Sequence, residues 1–290
     1  MAGQRAAVIG AAGFIGSRLT ARLTALGADP VGFTTETPFA VGTEPAPALR
    51  EARTVYFVAG SVTPGSAERH PERAAAHRAL FRGLLDCLAA AGRHPRVVLA
   101  SSGGTVYDPG FPPPYAEDSP VAPASAYGRV KLELEEDLLA RAGDLTPVVL
   151  RLGNVYGPGQ RLRTGQGVVA YWLDAAANGR PLTVYGDPET TRDYVYVDDV
   201  VDVLVDLHHA GPLPPVLNVG SGVPVSLATL LRTVEKAVTD RTLDVRYEPG
   251  RWFDRRDTWL DVALARRVLG WTARTDLETG IARTWTHHRG

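Results

Sequence analysis

The chain is poor in cysteine, methionine, lysine and long apolar runs, and each shortage removes a class of answers. A single cysteine, Cys87, among 290 residues excludes an internal disulfide and a cysteine-ligated metal cluster. Alone it reads as a small buried apolar residue. No run of like charge occurs, and 31 basic residues against 32 acidic ones leave a formal net charge of -1. Such a surface offers no field for nucleic acid or an anionic membrane to follow. No stretch is long and apolar enough to span a bilayer. The opening MAGQRAAVIGAAG runs into a strand and a glycine turn, not into a signal peptide, so a cytoplasmic protein is expected. His208–His209 and His287–His288 lack ligand-like partners, and no metal is expected. Lysine is the rarest charge: of the 31 basic residues only Lys131 and Lys236 are lysines, the rest being arginine. Lys131, in SAYGRVK, therefore raises the question of what arginine could not do there.

What is present is an alternation. AAVIG (6–10), PVGF (30–33), TVYFVAG (54–60), RVVLASS (96–102) and PVVLRLG (147–153) are short apolar runs bounded by Gly, Pro or Ser and read as buried strands. Helical stretches lie between them, at Phe14–Leu26, Pro71–Ala91 and Ser125–Ala142. Alternation of this kind predicts an α/β fold, a Rossmann-type doubly wound parallel sheet covered by helices on both faces. After Gly153 the pattern loosens: a strand at LTVYG (182–186), a helix from Val197, a strand at VLNVG (216–220), a helix from Ser226, and short closing helices at 264–271 and 277–285. The expected division is a dinucleotide-binding part, 1–152 with 193–219, and a smaller discontinuous substrate lobe, 153–192 with 220–290.

Gly10, Gly13 and Gly16 in GAAGFIG follow a strand and open a helix. The first allows a sharp turn, the second a close approach of backbone to a pyrophosphate, the third tight helix–strand packing, while the helix N-terminus offers N–H groups to phosphate. Phe14 and Ile15 inside this turn and Ala59 at the end of the third strand join them as candidate cofactor contacts. Folds that prefer NAD usually end the second strand with an acid for the ribose hydroxyls. Here GFTTETP places Thr34 and Thr35 there, and Glu36 slightly late. That favours NADP(H) over NAD(H), although no arginine adjoins to grip a 2′-phosphate. About twenty residues, with Pro38, Pro45 and Pro47 among them, separate this strand from the next. A full helix–strand pair hardly fits, so the adenosine pocket is expected to have an abbreviated edge.

Tyr127 and Lys131 stand four apart on a predicted helix and so share a face. A phenol with an ordinary pKa of about 10 is a poor base; a neighbouring ammonium is expected to lower that value. Lysine suits the task as a compact point charge that can also reach ribose hydroxyls, whereas arginine's fork is larger and fixed.

With GAAGFIG, SSGGTVYD (101–108), YGRVK (127–131), RLGNVYGPG (151–159), RDYVYVDDV (192–200) and LGW (269–271), the chain resembles the extended short-chain dehydrogenase/reductases. More narrowly it resembles the epimerases, dehydratases, decarboxylases and 4-ketoreductases of nucleotide-linked sugars. The resemblance covers nearly the whole chain. It implies an NAD(P)-dependent enzyme, often a homodimer, whose partner is a nucleotide diphosphate sugar. It makes Tyr127 the acid/base at a sugar hydroxyl and Lys131 its tuner and ribose ligand. A Ser or Thr normally completes the triad, but aligning on TVY puts Gly103 there; Ser102 or Thr105 is left to supply the hydroxyl.

The same resemblance places Asn154 against the sugar or its phosphates, Arg192 and Arg251 on the diphosphate, and Val168 and Tyr185 beside the nucleobase. Arginine suits the diphosphate because its fork binds two oxygens at once. Asp198 and Asp199 are expected at a helix start, opposing its dipole. A dehydratase would want an acidic pair after the triad Ser/Thr, where this chain has Gly104 and Thr105. The readings left are a reductase of a nucleotide-linked 4-keto (deoxy)hexose, a nucleotide-sugar 4-epimerase and, from a different class, a cofactor-binding sensor without turnover. The missing acid and short adenosine pocket favour cofactor exchange, hence the reductase.

Overall fold

Six parallel strands form the centre of the molecule; the computed structural model describes residues 5–41, 44–163, 165–250 and 257–289. Across the sheet the order is Val216–Val219, Thr146–Leu152, Arg96–Ser102, Thr54–Phe57, Arg5–Ile9 and Asp29–Phe33. Every neighbouring pair is parallel. Because parallel strands need crossovers, helices cover both faces and the strands are apolar on both. On one face Val8, Val98 and Leu150 pack against Leu19, Leu23, Val200 and Leu204 from the helices Phe14–Ala25 and Val197–His209. On the other, Val55, Val97, Leu99 and Val149 meet Phe81, Leu84, Leu134 and Leu138 from Pro71–Ala90 and Ala126–Leu139. The expected doubly wound sheet is the one found.

The sheet ends at Asp29–Phe33. Between that edge and Thr54 the described residues make a small hairpin, Ala40–Val41 against Glu44–Pro45, and one turn of helix, Pro47–Arg50. No strand among the described residues extends the edge further, as the prolines of this segment led one to expect.

Beyond Leu152 the chain builds a second apolar core. Its strands are Asn154–Tyr156, Thr191–Tyr196 and Pro224–Ser226 in one sheet, and Leu182–Tyr185 with Val245–Glu248 in another. Trp172, Leu173, Leu230, Val234, Ile281 and Trp285 fill it from the helices Val168–Ala177, Leu227–Ala237 and Leu277–Arg289. Helix Val168–Ala177 escapes the sequence pattern because VVAYWLDAAA is apolar at almost every position, so an apolar run is all that periodicity shows there. The helix Ala263–Leu269 turns back onto the first core, where Ala265 and Trp271 are buried and the Trp271 indole donates to the Asp199 carbonyl at 3.0 Å. No helix among the described residues is long and apolar enough to cross a membrane.

Candidate active site

The glycine turn is built as a cradle. Gly10 has φ +95°, and a Cβ there would lie 2.7 Å from the backbone of Ala59. A Cβ on Gly16 would lie 2.1 Å from the Gly10 carbonyl oxygen, so no side chain fits. The Gly10 and Gly13 N–H groups donate to Phe33 O and Gly10 O, both at 2.9 Å, which folds the turn against the edge strand. Helix Phe14–Ala25 starts at Gly13 with no side-chain cap, leaving its first N–H groups to an anion. These features fit a dinucleotide pyrophosphate. Ile15 packs its side chain into the first core, so its backbone is what it can offer a cofactor. Phe14 lines a cavity of about 260 Å³ with Ser17, Arg18, Ala21, Pro158 and Gly159.

At the adenosine side the chain folds on itself. The Thr34 hydroxyl accepts from the N–H groups of Glu36 and Thr37 at 3.2 and 3.1 Å and pairs with the Thr37 hydroxyl at 3.0 Å. Thr35 and Glu36 are exposed. Of the two hydroxyls expected to face the ribose, one is thus held in a local turn and Thr35 remains open.

Tyr127 and Lys131 lie together on helix Ala126–Leu139, each 8% exposed, with the Lys131 Nζ 5.7 Å from the phenol ring centre. Ser125 caps this helix, its hydroxyl accepting from Gly128 N at 3.1 Å. The ammonium donates to Ala100 O at 2.9 Å. Burial pushes Tyr127 up to about 12, and it pulls Lys131 down to about 8 against the opposing charge of Glu135. The expectation that the lysine makes the phenol acidic is therefore corrected: burial alone sets the direction of the shift, and it is upward. Tyr127 holds its proton at neutral pH.

His77, on helix Pro71–Ala90, also reaches this region and carries no signal in the sequence that distinguishes it from a core residue. It is 3% exposed, shares a hydrogen bond at 2.9 Å with the Ser61 hydroxyl and rests against the Phe57 ring, 5.4 Å between centres. Burial, and then the charge of Lys131, holds it down at about 4, so it is neutral.

At the strand end opposite Tyr127, Ser102 and Thr105 are both half-buried. The Thr105 hydroxyl is turned towards Ser102 O at 3.5 Å, and the Thr105 carbonyl abuts Gly128, where a Cβ would come within 2.5 Å of it. Gly103 between them is buried against Leu260.

Beneath the pair runs a polar network that sequence reasoning missed. Glu135 is 1% exposed; it accepts from Arg151 at 2.8 and 3.0 Å and from the Ser101 hydroxyl. Arg151 donates onward to Glu117 O at 3.2 Å and lies over the Tyr107 ring at 4.8 Å. Tyr107 donates to Asn218 at 2.6 Å, and the Asn218 N–H donates to the Glu117 carboxylate at 2.8 Å. A signal did exist: residues 127, 131 and 135 repeat every four and must share a helix face.

On the substrate side, Asn154 is exposed and donates to Asp193 O at 3.2 Å. Arg192 is half-buried, with Nη1 donating to Thr191 O at 2.8 Å. The buried Asp193 beside it accepts from the N–H groups of Ser221, Gly222 and Leu260, joining three segments. Val168 opens a helix and packs partly into the second core, whereas Tyr185 is 45% exposed at a strand end. Arg251 lies outside the described residues. Asp198 and Asp199 stand in the first turn of their helix. Asp198 pairs with Arg18 at 2.7 Å and Asp199 accepts from Thr275 N at 3.0 Å.

The model of the NAD dependent epimerase/dehydratase family matches residues 6–220. The chain belongs to that family. Its resemblance to the extended short-chain dehydrogenase/reductases is thereby borne out, as is its expected character as an NAD(P)-dependent enzyme. Among characterised epimerase/dehydratase proteins it is similar to UDP-glucose 4-epimerase of Mycolicibacterium smegmatis, 40% identical over 65% of this chain and 61% of that one. It is also similar to dTDP-6-deoxy-L-talose 4-dehydrogenase (NAD(P)(+)) of Kitasatospora kifunensis, 32% identical over 97% of this chain and 95% of that enzyme. The structure superposes on the UDP-glucose 4-epimerase of Thermus thermophilus in complex with NAD, with a TM-score of 0.86, 28% identity and 99% of both chains covered.

Proposed function

We propose that this chain reduces the 4-keto group of a nucleotide-linked hexose or deoxyhexose. The observation that carries this reading is the short sheet edge, with Thr34 and Thr35 where an acid would clamp the adenosine ribose. A reductase must release spent cofactor at every turnover, and an open adenosine side suits release. The same edge favours NADP(H) over NAD(H), since no carboxylate stands at the strand end to repel a 2′-phosphate.

Gly10, Gly13, Gly16, the backbone of Ile15 and Ala59, and Lys131 would hold the dinucleotide, which supplies a hydride when bound. Tyr127 then acts as an acid. Its proton, kept by burial, passes to the carbonyl oxygen as the carbon is reduced, and the Lys131 ammonium steadies the phenolate left behind. Water must restore that proton before the next turnover. Ser102 or Thr105 holds the same oxygen, while Asn154, Arg192 and Arg251 take the sugar and its diphosphate, with Tyr185 and Val168 towards the base. The full-length similarity to the talose 4-dehydrogenase supports redox chemistry at C4.

A 4-epimerase is the second reading, favoured by the similarity to the mycobacterial enzyme. The two part in a simple assay. The reductase purifies without bound dinucleotide and oxidises added NADPH only with a nucleotide-linked 4-keto sugar; the epimerase retains NAD through gel filtration and interconverts sugars without net oxidation. A dinucleotide that binds with no sugar-dependent change would leave a sensor.

The division into a dinucleotide part, 1–152 with 193–219, and a substrate lobe, 153–192 with 220–290, is retained as the working description, with Ala263–Trp271 packed back on the first core. A homodimer completes the proposal. Its support is a groove of about 700 Å³ between the helices Pro71–Ala90 and Ala126–Leu139, lined by small residues such as Ala75 and Ala79 and by charges of both signs, Arg78, Arg82, Arg129 and Asp86 among them. A sedimentation measurement tests it; a monomer at micromolar concentration refutes it.

A further inference from the structure

Glu135, 1% exposed, is a fully buried charged group beside the reacting pair that has no part in the chemistry so far. Lys131 and Glu135 follow one another by a helical turn, so both side chains point from helix Ala126–Leu139 towards the same end of the sheet. Two adjacent residues of the strand Arg96–Ser102 receive them: the Ala100 carbonyl accepts from Lys131 at 2.9 Å, and the Ser101 hydroxyl donates to Glu135. Arg151, from the next strand, grips the same carboxylate through Nε at 3.0 Å and Nη2 at 2.8 Å. The carboxylate is thus held from two strands, with the ammonium one turn away.

Resting on the reading of Tyr127 and Lys131 as the reacting pair, we propose that Glu135 is a positioning residue for catalysis, its anchored carboxylate one helical turn away keeping Lys131 charged. The surroundings show why such help is needed. His77 faces Lys131 from helix Pro71–Ala90 and is neutral, so it gives no negative charge. Tyr127 is protonated, and the strand offers only a carbonyl. Arg151 is positive, but its charge is spent on Glu135 itself, and the Glu135 carboxylate still raises the ammonium against burial. Among the described residues, Glu135 is the one anion whose charge acts on the ammonium, offsetting the burial that pulls it down to about 8. Lys131, Glu135 and Arg151 thus alternate in sign, the carboxylate paired with the arginine and one helical turn from the lysine.

The chain's shortage of lysine makes the test direct. Lysine labelled with carbon-13 at the ε position gives two resonances, one from Lys131 and one from the exposed Lys236, which Lys236→Arg removes. In the intact protein the Lys131 signal should titrate near 8. In Glu135→Gln, which keeps the shape and the acceptor oxygen for Arg151 but not the charge, the midpoint should fall by about one unit or more. The basic limb of kcat/KM should move down with it, a change that a purely structural ion pair would not produce. A Lys131 midpoint displaced by less than about 0.3 unit overturns the proposal. Should Glu135→Gln fail to fold, Ser101→Ala loosens the carboxylate while sparing its ion pair, and a smaller downward displacement is expected; none at all is equally fatal. A displaced midpoint in a protein that turns over no nucleotide sugar would uphold the electrostatic role and sink the reductase reading.

Discussion

The side chain of Leu260 occupies the space that any side chain at Gly103 would need: a Cβ built there lies 2.7 Å from Leu260 Cδ2, 2.8 Å from Cδ1 and 3.2 Å from Arg151 O. Leu260 is 2% exposed and stacked in a small cluster with Val106, Tyr107 and Tyr115, so it has little room to retreat. Gly103→Ser should therefore not restore a triad hydroxyl but overpack the strand end, lowering stability by about 1–3 kcal/mol. Combined with Leu260→Ala the two losses should fall short of additive, because the second change empties the space the first requires. Thermal denaturation of the three variants checks this; simple additivity would show that the residues do not compete.

With position 103 closed, the sugar oxygen depends on a neighbour. The Thr105 hydroxyl leans on Ser102 O, whereas the Ser102 hydroxyl has no hydrogen-bond partner among the described residues. Ser102→Ala is expected to lower kcat on the order of 100-fold and Thr105→Val by less than about 10-fold, the ordinary range for one hydrogen bond made in the transition state. The opposite ranking in steady-state kinetics would assign the role to Thr105.

How far the sequence reached depended on the kind of signal. The six buried strands and the helices between them were legible because apolar runs and Gly–Pro boundaries are local properties. So were the turn at Gly10 and the pairing of Tyr127 with Lys131, since both rest on short spacings. Helix Val168–Ala177 was not, because apolar residues stand on its open side too, Tyr171 among them, and hide the buried stripe. Nor was the state of the phenol: spacing brought the ammonium near, but only the packing revealed that both groups are dry, and burial then reverses the expected shift. Arg151 and Asp193 were hidden for a related reason. Their partners lie far along the chain, at Glu135 and Glu117 for one and at Ser221 and Leu260 for the other.

The pair itself sets the pH dependence of turnover. Lys131 is charged below about 8 and neutral above it, and Tyr127 keeps its proton to about 12. If the charged lysine is the active form, kcat/KM for reduction should decline as pH rises through about 8, well before the phenol ionises. Tyr127→Phe should remove at least about 100-fold of the rate while leaving dinucleotide affinity nearly unchanged. A pH–rate profile flat to pH 10, or a tyrosine variant that still turns over, would take this pair out of the chemistry.

His77 makes the fold sensitive to acid. Its pKa is about 4 in the folded protein, below the ordinary value of 6.5, because burial and the Lys131 charge disfavour the imidazolium. A group depressed on folding contributes its full stability above the unfolded value and loses it as pH falls through the folded one. Between pH 6.5 and 4 the protein should thus lose up to about 3 kcal/mol from this residue alone, as the unfolded chain takes up a proton that the folded one refuses. His77→Gln, which preserves polarity towards Ser61 but cannot charge, should flatten the slope in that window while leaving stability at pH 8 changed by less. Urea unfolding at a series of pH values measures it directly. An unaltered slope in the variant would mean that the folded protein protonates His77 over the same range as the unfolded chain, and that neither burial nor the Lys131 charge holds the imidazole neutral.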